Sequence, residues 1–151
     1  FEVIPRYIAQ HVPITVLFKP AKLLAVDRLL REARKRPGVK AVPADLSGVR
    51  ALLRSLKRGE AVGLLPDQVP GEGDGRLAPF FGQPAWTMTL PQGLIKRANP
   101  IMLIAVAQRC APPKPGASGL WQIHFENYEG DPSPQAINAA LEVSIRRMPE
   151  Q

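Results

Sequence analysis

The chain has 151 residues, of which 45% are hydrophobic and 22% charged, proportions of one ordinary folded domain rather than of a disordered or collagen-like segment. Twenty Lys and Arg against thirteen Asp and Glu give a net charge of +7 and favour anionic partners such as nucleic acid, acidic lipid headgroups or an acidic protein. The longest purely apolar run, Ile101 to Ala107, is far short of the about 20 residues of a membrane-spanning helix, and the single cysteine, Cys110, excludes an internal disulfide framework.

Helical and strand patterns alternate along the chain. Phe1 to Gln10 reads as a helical stub interrupted by Pro5. Ile14-Thr15-Val16-Leu17-Phe18 is β-branched, apolar and bounded by Pro13 and Pro20, which predicts a buried strand. Leu23, Val26, Leu29, Leu30 and Ala33 recur at helical spacing until Pro37-Gly38 stops the pattern. Asp45 is a good N-cap for a helix that would place Leu46, Val49, Leu52, Leu53 and Leu56 on one face, and Gly59 sits where the helix should end in a left-handed residue. Ala61 to Leu65 reads as a second buried strand. The glycine-rich Gly71 to Gly75 and the turn-like Pro79-Phe80-Phe81-Gly82 follow, then a helix from Trp86 to Ala98 with Pro91 kinking it or in its first turn. Ile101 to Ala107 and Trp121 to Phe125 read as strands, and Ser133-Pro134 starts a last helix with Ile137, Leu141, Ile145 and Met148 on one face. This alternation predicts an α/β fold with a largely parallel sheet flanked by helices, in a single domain over 1–151. The chain opens without Met and both ends read as cut points, so the domain is expected to be incomplete at its N-terminus and at its C-terminus.

Ligands of α/β sheets bind outside the carboxyl ends of strands, which directs attention to Lys19-Pro20, to Pro66-Asp67-Gln68-Val69-Pro70 and to Gln108-Arg109. Asp67 has two readings, a turn aspartate bonding its own backbone or a site residue. The glycine loop lacks the Gly-Lys-Ser/Thr ending of a nucleotide-binding loop and carries Glu72 and Asp74, which repel phosphate; it reads as a surface loop. Arg28, Arg31, Arg34, Lys35, Arg36 and Lys40 form the densest charge cluster, balanced only by Asp27 and Glu32. A solvated helix face is the ordinary reading of such a run, and nothing beside it resembles a nucleic-acid-binding module. His124 is expected to point outward from its strand and His11 lies in a connector. Neither has the neighbours of a catalytic group, and two histidines with one cysteine make no metal site. No catalytic base is assignable from these residues.

Seven segments in order resemble the late acyltransferases of lipid A biosynthesis, within the wider lysophospholipid acyltransferase family. They are Phe1-Glu2-Val3-Ile4-Pro5-Arg6-Tyr7, Val16-Leu17-Phe18-Lys19-Pro20, Leu29 to Arg36, Lys57-Arg58-Gly59-Glu60, Val62 to Pro70, Ala78-Pro79-Phe80-Phe81-Gly82 and Thr87-Met88-Thr89-Leu90-Pro91. The resemblance implies transfer of a fatty acyl chain from acyl carrier protein to a hydroxyl of a lipid A precursor, without a cofactor. It implies a catalytic histidine followed after four residues by an acid; Glu2 matches the acid, and the histidine would fall upstream of Phe1. It also implies that Arg34 binds acceptor phosphate or stabilises developing negative charge, that Lys19 occupies a position where relatives carry Arg or Lys before Pro, and that Asp67, beside Gln68, is the acidic residue of the family's third motif. Some relatives have a second acid where Val69 stands. The acyltransferase-like fold would include a first strand and a membrane anchor helix absent from these residues, with the protein at the cytoplasmic face of the inner membrane, against its anionic surface. The alternatives are an acyltransferase for a lysophospholipid or other glycolipid acceptor, or a non-catalytic basic module on membrane or nucleic acid.

Overall fold

A computed structural model describes residues 3–18, 37–110 and 119–149, and the chain divides into two units, Phe1–Leu64 and Leu65–Gln151. The architecture is mixed α/β: one small parallel sheet of three strands with helices, and two antiparallel hairpins.

The first unit begins with a short helix α1 (Val3–Ile8), in which Pro5 is tolerated because it lies in the first turn, where its missing N–H has no partner to lose. Strand β1 (Ile14–Phe18) coincides with the expected buried strand. It is the middle of the order β2-β1-β3, where β2 is Val39–Pro43 and β3 is Ala61–Gly63, both parallel to it. The register pairs Ile14 with Val39 on one side and with Ala61 on the other. The predicted helix from Leu23 to Arg36 lies outside the described residues. Strand β2 has no counterpart in the sequence reading, and β3 stops two residues before the expected Leu65. Val16↔Gly63 is its last pairing, and its residues are half-buried rather than buried because β1 flanks it on one side only.

Helix α2 (Leu46–Lys57) runs from the carboxyl ends of the strands back to their amino ends. Asp45 caps it as predicted, with Oδ1 accepting from the N–H groups of Ser47 (2.8 Å) and Gly48 (3.0 Å), and Gly59 follows it with φ +74°. The face turned to the sheet differs from the expected one. Gly48, Ala51, Leu52 and Ser55 are buried, whereas Leu46 is 76% exposed and Val49, Leu53 and Leu56 are only half-buried. A close approach and a polar contact set this rotation. A Cβ on Gly48 would lie 1.9 Å from the carbonyl oxygen of Pro43, so the helix sits on the end of β2 with no side chain between. At its other end the Ser55 and Thr15 hydroxyls share a buried hydrogen bond of 2.8 Å.

In the second unit β4 (Gly75–Phe80) and β5 (Gln83–Met88) form a hairpin. The turn-like reading around Phe81-Gly82 holds for those two residues, with φ of +49° and +76°, the pattern of a two-residue hairpin turn. The reading of Pro79 and Phe80 as turn rather than strand is corrected, as is a helix starting at Trp86: the turn folds residues 83–88 back onto 75–80. The helix α3 (Leu90–Ala98) starts after Thr89, with Pro91 in its first turn, and Asn99 closes it in the left-handed conformation. Strands β6 (Leu103–Cys110) and β7 (Leu120–Asn127) pair antiparallel from Leu103↔Asn127 to Cys110↔Leu120; β6 starts two residues later and ends three residues later than the expected Ile101–Ala107, and β7 extends the expected Trp121–Phe125 by one residue at its start and two at its end. Gln108 and Arg109 therefore lie inside a strand, not past its end.

Helix α4 (Pro134–Arg147) starts at the Ser133-Pro134 signal, with Ser133 Oγ accepting from Ala136 N–H. It packs on β4–β5 through Asn138, whose Nδ2 donates to the Pro79 carbonyl oxygen (3.1 Å) and the Thr87 hydroxyl (2.9 Å). Ile137 is buried as expected, but Ile145 is exposed and Ser144 takes the inward place. The expected largely parallel sheet thus holds for β1 to β3 and is corrected beyond them. A two-residue turn and a nine-residue connector are both too short for the crossover that parallel neighbours need.

Candidate functional site

The parallel register brings the carboxyl ends of β1, β2 and β3 to one edge of the first sheet. Each strand leaves that edge differently. Phe18 is followed by Lys19, which lies outside the described residues. Pro43 leads through Ala44 into the cap of α2, with Ala44 N–H donating to the Phe18 carbonyl oxygen at 3.0 Å. Asp45 is engaged there: its bonds from Ser47 and Gly48 hold its carboxyl below the ordinary value of 3.8, so it is a structural acid that occupies two of the first amides of the helix.

Strand β3 continues into Leu64-Leu65 and then a turn at Pro66 and Asp67, closed by Gln68 N–H donating to the Leu65 carbonyl oxygen at 3.3 Å. Asp67 and Gln68 are exposed, and the Asp67 carboxylate makes no hydrogen bond or ion pair among the described residues. That separates it from Asp45 and from Asp131, whose Oδ1 accepts from Ser133 N–H at 3.2 Å. Of the two readings of Asp67, the turn aspartate bonding its own backbone is therefore not what the described residues show. An exposed acid without an internal partner, four residues past the end of a parallel strand, is free to accept hydrogen bonds from a ligand.

Of the five residues singled out in the sequence, the structure thus describes two, Asp67 and its neighbour Gln68. Glu2, Lys19 and Arg34 lie outside the described residues, as do Arg28, Arg31, Lys35 and Arg36 of the basic cluster.

The amino edge of the same sheet carries a network that the sequence reading did not anticipate. Arg58 Nε and Nη2 donate to the two carboxylate oxygens of Glu60, each at 2.7 Å, and Nη2 also reaches Ser55 Oγ at 3.2 Å. The guanidinium holds the Glu60 carboxyl below its ordinary value. Ser55 in turn meets Thr15, so the network ties the end of α2 to β1 and to the start of β3. Lys57-Arg58-Gly59-Glu60 is one of the segments that carry the resemblance. Its described role is to join helix and sheet at the edge opposite the carboxyl ends of the strands.

Neither histidine sits in a catalytic arrangement. His11 stacks edge-on against Tyr7, ring centroids 5.1 Å apart. His124 corrects the expectation of an outward-pointing ring: its Nε2 is buried and has no hydrogen-bond partner among the described residues. No group of three or more His, Cys, Asp or Glu could hold a metal ion among the described residues. A cleft of about 330 Å³ at the end of α3 is bounded by Ile95, Pro100, Ile101, Met102 and Tyr128. The polar groups at its rim are bonded to one another or to backbone, Asn127 to Glu129 and Tyr128 to the Asp131 carbonyl oxygen, each at 2.8 Å, so it is an apolar notch rather than a reaction centre.

No helix among the described residues is long and apolar enough to cross a membrane. None of the curated proteins compared with the chain matches it. The model of one family, bacterial lipid A biosynthesis acyltransferase, matches residues 2–151. The match covers the residues of the sheet, Asp67 and the Arg58–Glu60 network alike, and the chain belongs to the bacterial lipid A biosynthesis acyltransferase family.

Proposed function

We propose that residues 1–151 form one acyltransferase domain that moves a fatty acyl chain from an acyl carrier protein thioester to a hydroxyl of a lipid A precursor, at the cytoplasmic face of the inner membrane. The observation that carries this reading is the family match over residues 2–151. The exposed carboxylate of Asp67 past β3, without a partner among the described residues, supports it, because both its oxygens are open to hydrogen bonds from a substrate.

In this reading a histidine five residues before Glu2 is the general base. Its neutral ring takes the proton of the acceptor hydroxyl as that oxygen attacks the thioester carbonyl. The carboxylate of Glu2 holds the ring in the required tautomer and stabilises the imidazolium. Collapse of the tetrahedral intermediate breaks the carbon–sulfur bond, and the imidazolium returns its proton to the departing thiolate. Arg34 and Lys19 bind the acceptor's anionic groups, Arg34 through a two-bond guanidinium contact. Asp67, with Gln68 beside it, accepts hydrogen bonds from acceptor hydroxyls.

The test is turnover of an acyl carrier protein thioester with a lipid A precursor, in a chain that carries the upstream histidine. Asp67→Ala and Arg34→Ala are each expected to lower kcat/KM by about 10- to 100-fold, the worth of a hydrogen bond to a charged group. Wild-type rates in both variants would remove these residues from the site. Turnover of a lysophospholipid in preference to the lipid A precursor would reassign the acceptor.

A further inference from the structure

The charge of the chain is unevenly divided. Residues 1–64 hold thirteen Lys and Arg against five Asp and Glu, whereas residues 65–151 hold seven against eight. Within the first unit, α2 displays the excess in an ordered way. Arg50, Arg54 and Lys57, spaced by four and three, share the face opposite the buried Gly48, Ala51, Leu52 and Ser55. All three are exposed, and none makes an ion pair or side-chain hydrogen bond among the described residues. This distinguishes them from Arg58, engaged by Glu60, and from Arg146 and Arg147, engaged by Glu142 and Glu126.

The same face carries apolar groups. Leu46 lies one turn before Arg50 and is 76% exposed, and the half-buried Val49, Leu53 and Leu56 run along the flank. Of the residues that sequence periodicity assigns to the core, Leu52 is buried, whereas Leu46, Val49, Leu53 and Leu56 stand beside the cations, because Gly48, Ala51 and Ser55 share the contact with the sheet. A helix that couples exposed aliphatic side chains to a row of unpaired cations matches the chemistry of an anionic lipid surface: guanidinium and ammonium groups meet phosphates while leucine enters the headgroup–acyl boundary.

We propose that the outer face of α2, formed by Leu46, Arg50, Arg54 and Lys57, docks the first unit on an anionic lipid bilayer. The proposal deepens the membrane-surface reading above and rests on it. Charge complementarity favours this face among the described residues, since it gathers three cations that meet no acid there, whereas the second unit is nearly neutral. The exposed Leu46 favours a bilayer over an acidic protein, for which the cations alone would suffice.

The test is flotation of the 151-residue chain with phosphatidylcholine vesicles, with and without phosphatidylglycerol. Wild type is expected to bind the anionic vesicles and to be released by salt. The variant Arg50→Gln/Arg54→Gln/Lys57→Gln is expected to lose roughly 100-fold in partitioning, about five-fold per cation. The control Arg76→Gln/Lys96→Gln/Arg97→Gln, which removes as many exposed cations from the second unit, is expected to stay near wild type. Leu46→Ser should weaken binding without altering its salt dependence. Circular dichroism checks that each variant folds, and single Arg54→Gln, expected to lose about five-fold, serves where the triple variant does not.

Wild-type binding by the α2 variants overturns the proposal and leaves the membrane reading standing. Failure of the wild type to bind anionic vesicles overturns the proposal as well, while the acyltransferase reading is decided separately by turnover. Unchanged vesicle binding with lost affinity for acyl carrier protein would reassign the face to an acidic protein and overturn the lipid proposal.

Discussion

In the first unit the strands meet across long connections: β1 takes its neighbours from residues 39–43 and 61–63, and both pairs are parallel. In the second unit each strand pairs with the next one in sequence, through a two-residue turn in one hairpin and a short connector in the other. Burial follows the same division. Four of the five residues of β1 are buried, whereas no residue of β6 or β7 is. The comparison teaches that non-local pairing is sustained here by close packing of sheet against helix, while local pairing is sustained by turn chemistry and tolerates exposure.

The sharpest way to break this contrast is Gly48→Ala. The added methyl group would meet the Pro43 carbonyl oxygen at 1.9 Å and Leu17 Cδ2 at 3.0 Å, a backbone collision that no rotamer change relieves. Destabilisation of about 3 kcal/mol is expected, read from urea denaturation. In the second unit the corresponding joint is polar. Asn138→Ala leaves the buried Thr87 hydroxyl and the Pro79 carbonyl without their shared donor, for an expected loss of about 2 kcal/mol in the same measurement. A loss as large as that of Gly48→Ala would mean that the second unit depends on its interior joint as much as the first.

The smallest effect concerns acid. The folded-state carboxyl of Glu60 lies below its ordinary value, chiefly through Arg58, so its contribution is present above the unfolded value and is lost as pH falls through the folded one. Glu60→Gln should therefore lower the thermal midpoint slightly at neutral pH and not at all well below about pH 4. An equal difference at both pH values would show that the pair acts by packing rather than by charge.

Features written in local chemistry were legible in the sequence. Ile14–Phe18, the Asp45 and Ser133 caps, Gly59 and the first-turn Pro91 all appear where their side chains or backbone preferences require them. Strand β2 was not legible, because Val-Lys-Ala-Val-Pro is short and ends in proline, and only its parallel neighbour β1 makes it a strand. Gln83–Met88 was misread because Phe81, an aromatic residue at φ +49°, is not a residue that announces a turn. The rotation of α2 escaped for a different reason. Periodicity reports where leucines fall, and here only Leu52 keeps its expected buried place, while a glycine, an alanine and a serine take the others. Of the candidate site, Asp67 was legible from its position after a strand, while its lack of a backbone partner was visible only in three dimensions.

The missing side chain at Gly48 has a consequence that reaches the opposite side of its helix. A cylinder resting on a sheet can roll, and what stops this one is a contact so close that only one azimuth admits it. Any larger residue there would turn the helix about its axis, and every turn of the axis swings Arg50, Arg54 and Lys57 by the same angle. The aim of the cationic row is thus set from inside the protein, by a buried residue that carries no charge.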